Sequence, residues 1–141
     1  MKKLIFVLFF QFLFSQAMSV EIDLEKSFIS YDGKHPAHNW TGISKEIKGS
    51  FMFDQDQPIL SSVDLYVPVF SFDSRNSNRD SNMLDVIEDY FYPSVSFTSL
   101  SVTKEEDQYY INGVIFFHGI KKEVMLPVDF IVDNGIIVVD T

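Results

Sequence analysis

No cysteine occurs among the 141 residues, which excludes disulfide bridges, thiolate-held metals and a lipid-modified N-terminal cysteine. Basic residues are scarce as well, with 11 Lys and Arg against 20 Asp and Glu and a formal net charge of −9. The electrostatic footprint of nucleic-acid binding is therefore missing, and an anionic membrane surface would repel the chain. Long apolar runs are absent beyond the N-terminus. A helix that crosses a bilayer takes roughly 20 apolar residues, so no stable membrane anchor is expected.

The one apolar run lies at the start. Lys2 and Lys3 form a positive n-region, "LIFVLFFQFLF" from Leu4 to Phe14 is an apolar core, and Ser15-Gln16-Ala17 puts small residues at the positions a signal peptidase reads. This pattern predicts a signal peptide over residues 1–17, cleavage after Ala17 and export to the periplasm or beyond. Residues 18–141 then form one domain, more acidic still for the loss of two lysines. A domain of this size buries about two-thirds of its unfolded surface, enough to fold in an oxidising compartment without disulfides.

Apolar residues alternate along the body of the chain, and Gly, Asn, Asp and Pro punctuate the runs. That period of two predicts strands. Ile47, Phe51 and Phe53 share one face with Gly49 between them. Val63, Leu65, Val67 and Val69 repeat the pattern, and "VMLPVDFIV" sets Val124, Leu126, Val128, Phe130 and Val132 opposite Glu123, Pro127 and Asp129. Pro68 and Pro127 lack an amide proton, so they need an edge, a bulge or a bend. The connections "KEEDQ", "HGIKK" and "DNG" suit an antiparallel meander. One stretch changes period: "DSNMLDVIEDYF", Asp80 to Phe91, places Met83, Ile87 and Tyr90 on a helical stripe with Leu84 and Phe91 beside it. It predicts a short amphipathic helix capped by Asp80 or Ser81 and ended by Pro93.

"VPVFSFDSRNSNRDSNMLDVIEDYFYPSVSFTSLSV" followed by "YYINGVIFFHGIKKEVMLPVDF" resembles the YceI-like family of exported polyisoprenoid-binding proteins, and "SYDGKHPAHNWTG" with "GSFMFD" fits the same family's N-terminal part. The resemblance implies an all-β fold, a lipocalin-like antiparallel barrel with one short helix, whose lumen holds an isoprenoid lipid or quinone. It implies no catalytic residues and no other cofactor. On that reading Val63, Leu65, Val67, Val69, Val124, Leu126, Val128 and Phe130 line the lumen. Two departures stand out. Asn82 occupies a position where the family commonly has His, and the sequence stops at "GIIVVDT", where family members continue through a further strand pair. Strands without their final partners predict a homodimer through the open edge, or aggregation.

The stretch "KHPAHNW" sets His35 and His38 three residues apart. Pro36 disfavours a helix there, and in an extended chain residues three apart point to opposite sides, which argues against a chelating pair. Without cysteine, further zinc ligands would have to come from His118 or distant carboxylates, so no metal is expected. Two readings of the pair stay open: hydrogen bonds within a loop at the barrel mouth with Trp40 over one end of the core, or contact with a ligand head group. Arg79 is open in the same way, between fixing its loop with Asp80 and touching a head group. No serine sits in a nucleophile elbow, so the chain is not expected to be an enzyme. The alternative to lipid carriage is a ligand-free exported domain with a filled core, acting through protein contacts.

Overall fold

A computed structural model of the chain describes residues 17–54, 60–133 and 136–141. The strands, in order, are β1 (Ala17–Val20), β2 (Ile29–His35), β3 (His38–Ser44), β4 (Lys48–Asp54), β5 (Leu60–Pro68), β6 (Ser94–Glu105), β7 (Gln108–Phe117), β8 (Ile120–Asp133) and β9 (Ile136–Asp140). A 3-10 turn, Val69–Ser71, and one helix, α1 (Ser77–Val86), lie between β5 and β6. The export segment lies outside the described residues up to residue 16.

Seven strands form one antiparallel sheet in the order β1-β4-β5-β6-β7-β8-β9, and β2 and β3 pair as a separate hairpin. From β4 onward every neighbour in the sheet is the next strand of the large sheet in sequence, which is the expected meander. The sheet curls into a half-barrel. Among the described residues no ladder joins β1 to β9. The expectation of strands without their final partners fails for the strand after Lys122: β8 is flanked by β7 and by β9, from Asp129 opposite Asp140 to Asp133 opposite Ile136.

Register explains why one face of the sheet is apolar. Residues directly opposite one another in a ladder share a face, and the pairs Val20–Phe51, Phe51–Val63, Leu65–Phe97, Phe97–Ile115, Ile111–Leu126 and Gly113–Val124 carry one apolar surface from β1 to β8. Curling brings its ends together: Phe53, Leu60, Val63, Ile111 and Val128 form one buried cluster, with Val20, Phe51, Leu65, Phe97, Val102, Ile137 and Val139 packed against it. Gly113 is needed for that closeness, since a Cβ there would overlap the Phe97 ring and crowd the Thr98 carbonyl.

Both prolines sit where a missing amide proton does no harm. Pro68 ends β5, and its carbonyl accepts a 2.6 Å hydrogen bond from Ser71 Oγ at the bend that follows. Pro127 lies opposite Tyr110, and its carbonyl accepts from Thr141 Oγ1 at 2.7 Å. The nitrogen and carbonyl of a strand residue point the same way, so Pro127 N faces the β9 side, beyond the last ladder pair, Asp129–Asp140.

The helix begins and ends earlier than expected. Asn76, not Asp80 or Ser81, is the N-cap, its Oδ1 accepting the Arg79 amide at 3.1 Å. The Asp80 carboxylate is drawn instead to Ser74, whose amide and hydroxyl both donate to it. After Val86 the chain turns, with Glu88 in the left-handed region at φ 50. The expected core stripe is thereby broken: Met83 and Ile87 are half-buried, whereas Tyr90 and Phe91 are 87% and 70% exposed. Pro93 stands well past the helix, just before β6.

Candidate functional site

Eight residues were expected on the lumen face. Val63, Val67, Val69 and Val128 are buried, and Leu65, Val124 and Leu126 are half-buried while their neighbours Asp64, Tyr66, Glu123, Met125 and Pro127 are exposed. The alternation read from the sequence thus sets which side faces inward. Val69 belongs to the 3-10 turn rather than to β5, yet stays buried, its amide donating to the Pro93 carbonyl at 3.0 Å. The Phe130 side chain lies outside the described residues; its backbone sits opposite Val139.

His35, His38, Trp40 and Arg79 form one continuous row. The expectation that residues three apart diverge is overturned, because Pro36-Ala37 is a two-residue turn and His35 and His38 are directly opposed across the β2–β3 ladder. Cross-strand partners share a face, and the two ring centres stand 5.3 Å apart. His38 and Trp40, two apart on one strand, also share that face, with ring centres separated by 5.7 Å. The Arg79 guanidinium covers the Trp40 ring at 4.9 Å from its centre, a cation–π contact.

Glycine makes the row possible. Trp40 lies opposite Gly33 and Tyr31 opposite Gly42, and a Cβ on either glycine would overlap the ring across from it. Trp40 therefore rests on its own hairpin and not over the end of the core, as the sequence suggested. This seat buries Trp40 Nε1, which has no hydrogen-bond partner among the described residues. Tyr31 meets Phe72 edge to face at 5.5 Å. On the opposite face of the hairpin, Thr41 donates to Asp32 at 2.6 Å, and a shallow depression of about 270 Å³ is lined by Asp32, Gly33, Lys34, Asn39, Trp40 and Thr41.

Polar contacts tie the hairpin to the loop before α1. Ile43 and Asp73 exchange both backbone hydrogen bonds, at 3.0 and 2.9 Å. The buried Ser44 hydroxyl lies 2.6 Å from Ser71 Oγ and accepts the Glu46 amide. Since Ser71 spends its proton on the Pro68 carbonyl, Ser44 is the donor, and the chain of hydrogen bonds runs from the hairpin base to the end of β5. Arg79 Nε donates to Ser74 Oγ at 2.8 Å and its Nη2 to the Ser74 carbonyl at 3.0 Å. Arg79 and Asp80 thus fix this loop. Its paired donors are occupied, and what Arg79 presents to the hairpin is the flat face of a cation.

Sequence reasoning missed the hairpin itself. Its signal was present: Tyr31-x-Gly33 and Trp40-x-Gly42 are placed symmetrically about a two-residue turn, so each ring meets a glycine across the ladder. A second cluster was missed also. His118 Nε2 lies 3.1 Å from Glu88 Oε2, its ring stands edge-on to Tyr92 at 4.7 Å, and Tyr92 covers Gly119. Among the described residues no three His, Cys, Asp or Glu side chains are grouped so as to hold a metal.

With these surfaces placed, likeness to known proteins becomes informative. The profile described as YceI-like domain matches residues 21–140. The chain belongs to the YceI-like family. It is 31% identical over 112 residues to the UPF0312 protein of Photorhabdus laumondii, covering 76% of this chain and 57% of that protein's length. Protein YceI of Escherichia coli O157:H7 is 28% identical over 139 residues, covering 92% of this chain and 73% of the other. In solved structures the fold recurs in Burkholderia cenocepacia BcnA, with a TM-score of 0.73, 22% identity, and 81% of this chain and 74% of that one covered. The Campylobacter jejuni YceI protein gives a TM-score of 0.61 at 20% identity, covering 79% and 67%. No helix among the described residues is long and apolar enough to cross a membrane.

Proposed function

We propose that the chain is an exported binding protein that holds the hydrocarbon chain of a neutral isoprenoid lipid, of quinone or isoprenol type, against the inner face of its curled sheet, as a carrier or sensor without catalytic chemistry. The observation that carries this reading is the apolar face continued strand by strand from Val20 to Val124. Such a face rewards a long hydrocarbon by about 0.8 kcal/mol for each CH₂ removed from water, before the costs of binding. The formal charge of −9 favours a neutral head over a polyprenyl phosphate. For the head group, the reading assigns the row of His35, His38, Trp40 and Arg79. The exposed imidazoles of His35 and His38 support that assignment, since a ring nitrogen can donate to or accept from a polar head group.

Mass spectrometry of organic extracts from the purified protein tests the reading, with an isoprenoid lipid as the expected finding. Val67→Phe sharpens it. Val67 is buried on the inner face opposite Val95, and a ring there should obstruct the chain and lower co-purified lipid while costing only about 1–3 kcal/mol of stability. A second reading draws on the cluster in which Phe53, Leu60 and Val63 meet Ile111 and Val128. If that packing fills the interior throughout, the chain is a ligand-free exported domain that works through protein contacts. Extracts without isoprenoid, together with unfolding of the Val67→Phe variant, would decide for it. Among the described residues β1 and β9 are the outer strands of the sheet, and a homodimer of this chain would pair there.

A further inference from the structure

The geometry points to a two-histidine metal site at the tip of the β2–β3 hairpin: we infer that His35 and His38 together bind one divalent transition-metal ion, Cu²⁺ in preference to others. Imidazole nitrogens ligate such ions at about 2.0–2.1 Å, which puts a ring centre roughly 3.2 Å from the metal. With one nitrogen of each ring turned toward it, one ion would span two ring centres 5.3 Å apart at a ligand–metal–ligand angle of about 110°. The register places the two rings on one face, since His35 and His38 are the last pair of the ladder before the two-residue turn. Both residues are exposed, so a hydrated ion reaches them freely and the rings can turn their nitrogens inward.

The competing contacts are few. Ala37 N–H donates to His35 Nδ1 at 3.2 Å, an exposed hydrogen bond that ligation through Nδ1 would replace, leaving the amide to water. On its other side His38 rests against Trp40, which offers no ligand. Among the described residues no third His, Cys, Asp or Glu joins the pair, so water completes the coordination and the ion is exchangeable. An all-imidazole, open site of this kind follows the general affinity order of the first transition series, which peaks at Cu²⁺. A bound ion and a lipid head group would compete for these two rings, whereas the contents of the sheet interior do not affect the site.

Trp40 is the only tryptophan of the chain and stands 5.7 Å from His38, so it reports on the site directly. The test is titration of the chelator-treated full chain with CuCl₂ in a non-coordinating buffer, followed by Trp40 fluorescence and electron paramagnetic resonance. Saturable quenching at one equivalent is expected, with hyperfine splitting from two imidazole nitrogens. His35→Ala and His38→Ala should each weaken binding at least tenfold, and His118→Ala should leave it unchanged. Should an alanine disturb the hairpin, His35→Phe keeps a ring opposite His38 and removes only the ligating nitrogens. Quenching that survives either histidine variant, disappears with His118→Ala, or comes with a single-nitrogen spectrum would overturn the site.

Discussion

The seven-stranded sheet and the β2–β3 hairpin both follow the strand period of two, yet they use it for different ends. In the sheet, opposed residues on the inner face are mostly apolar, and curling buries them against residues far away in sequence, such as Leu60 against Ile111 and Val128. On one face of the hairpin, opposed residues are ring and glycine or ring and ring, and burial stops at the local seat of each ring. The sheet gains its stability from contacts across the molecule. The hairpin keeps polar rings at the surface, where they can meet a ligand. Strand periodicity therefore says which residues share a face, but the residue opposite each one decides whether that face becomes core or site.

The largest effect should follow from breaking the sheet side of this contrast. Leu60 is fully buried in the central cluster, and Leu60→Ala removes three carbons where neighbours from β4, β7 and β8 cannot easily close the gap. We expect a loss of about 2–5 kcal/mol in urea denaturation, with one cooperative transition. A loss below about 1 kcal/mol would mean that the curled ends of the sheet are not held together through this cluster.

Next in size is Gly113→Ala. Its new Cβ would overlap the Phe97 ring and lie 2.7 Å from the Thr98 carbonyl, and a backbone atom cannot move aside as a side chain can. A cost of about 1–3 kcal/mol is expected from thermal unfolding, since the sheet must shift to accept the methyl. A neutral result would show that β6 and β7 are looser at this point than their register requires.

These two sites also show what could be read from the sequence and what could not. The faces of Val63, Leu65, Val67 and of Val124, Leu126, Val128 were legible because alternation is a local property and burial followed it faithfully. The family resemblance added the architecture, which periodicity alone does not supply. The helix boundaries were misread because a local rule, apolar spacing, lost to a polar one: Asn76 captured the Arg79 amide and Ser74 captured Asp80. The histidine pair is not legible because Pro36 reads locally as extended chain, whereas it begins a two-residue turn that brings the rings together. Nor could spacing reveal that Arg79, 39 residues after Trp40, would cover its ring.

The Asn76 cap provides a smaller test lying between the two regions, because the loop it ends grips the hairpin through Asp73, which pairs with Ile43, and through Arg79, which Ser74 holds over Trp40. Asn76→Ala should cost about 1 kcal/mol, the usual value of a side-chain cap. Thermal denaturation checks the size. A blue or red shift of Trp40 emission in the folded variant would show that the helix start and the hairpin are mechanically joined, and an unchanged spectrum would show them to be separate.

The smallest effect on stability should come from Gly33→Ala, the hairpin counterpart of Gly113→Ala. Here too the added methyl collides with a ring, but the atoms in its way belong to the Trp40 side chain, which can swing off its seat toward solvent. Cross-strand pairs are worth about 0.2–1 kcal/mol, so unfolding should shift by no more than that. The local change should be large by comparison: the indole loses its glycine seat, Nε1 meets water, and emission moves to longer wavelength with easier quenching by iodide. If Gly33→Ala instead destabilised the whole domain as much as Gly113→Ala, the hairpin would be part of the same cooperative core, and the division between a packed sheet and a surface row of rings would not hold.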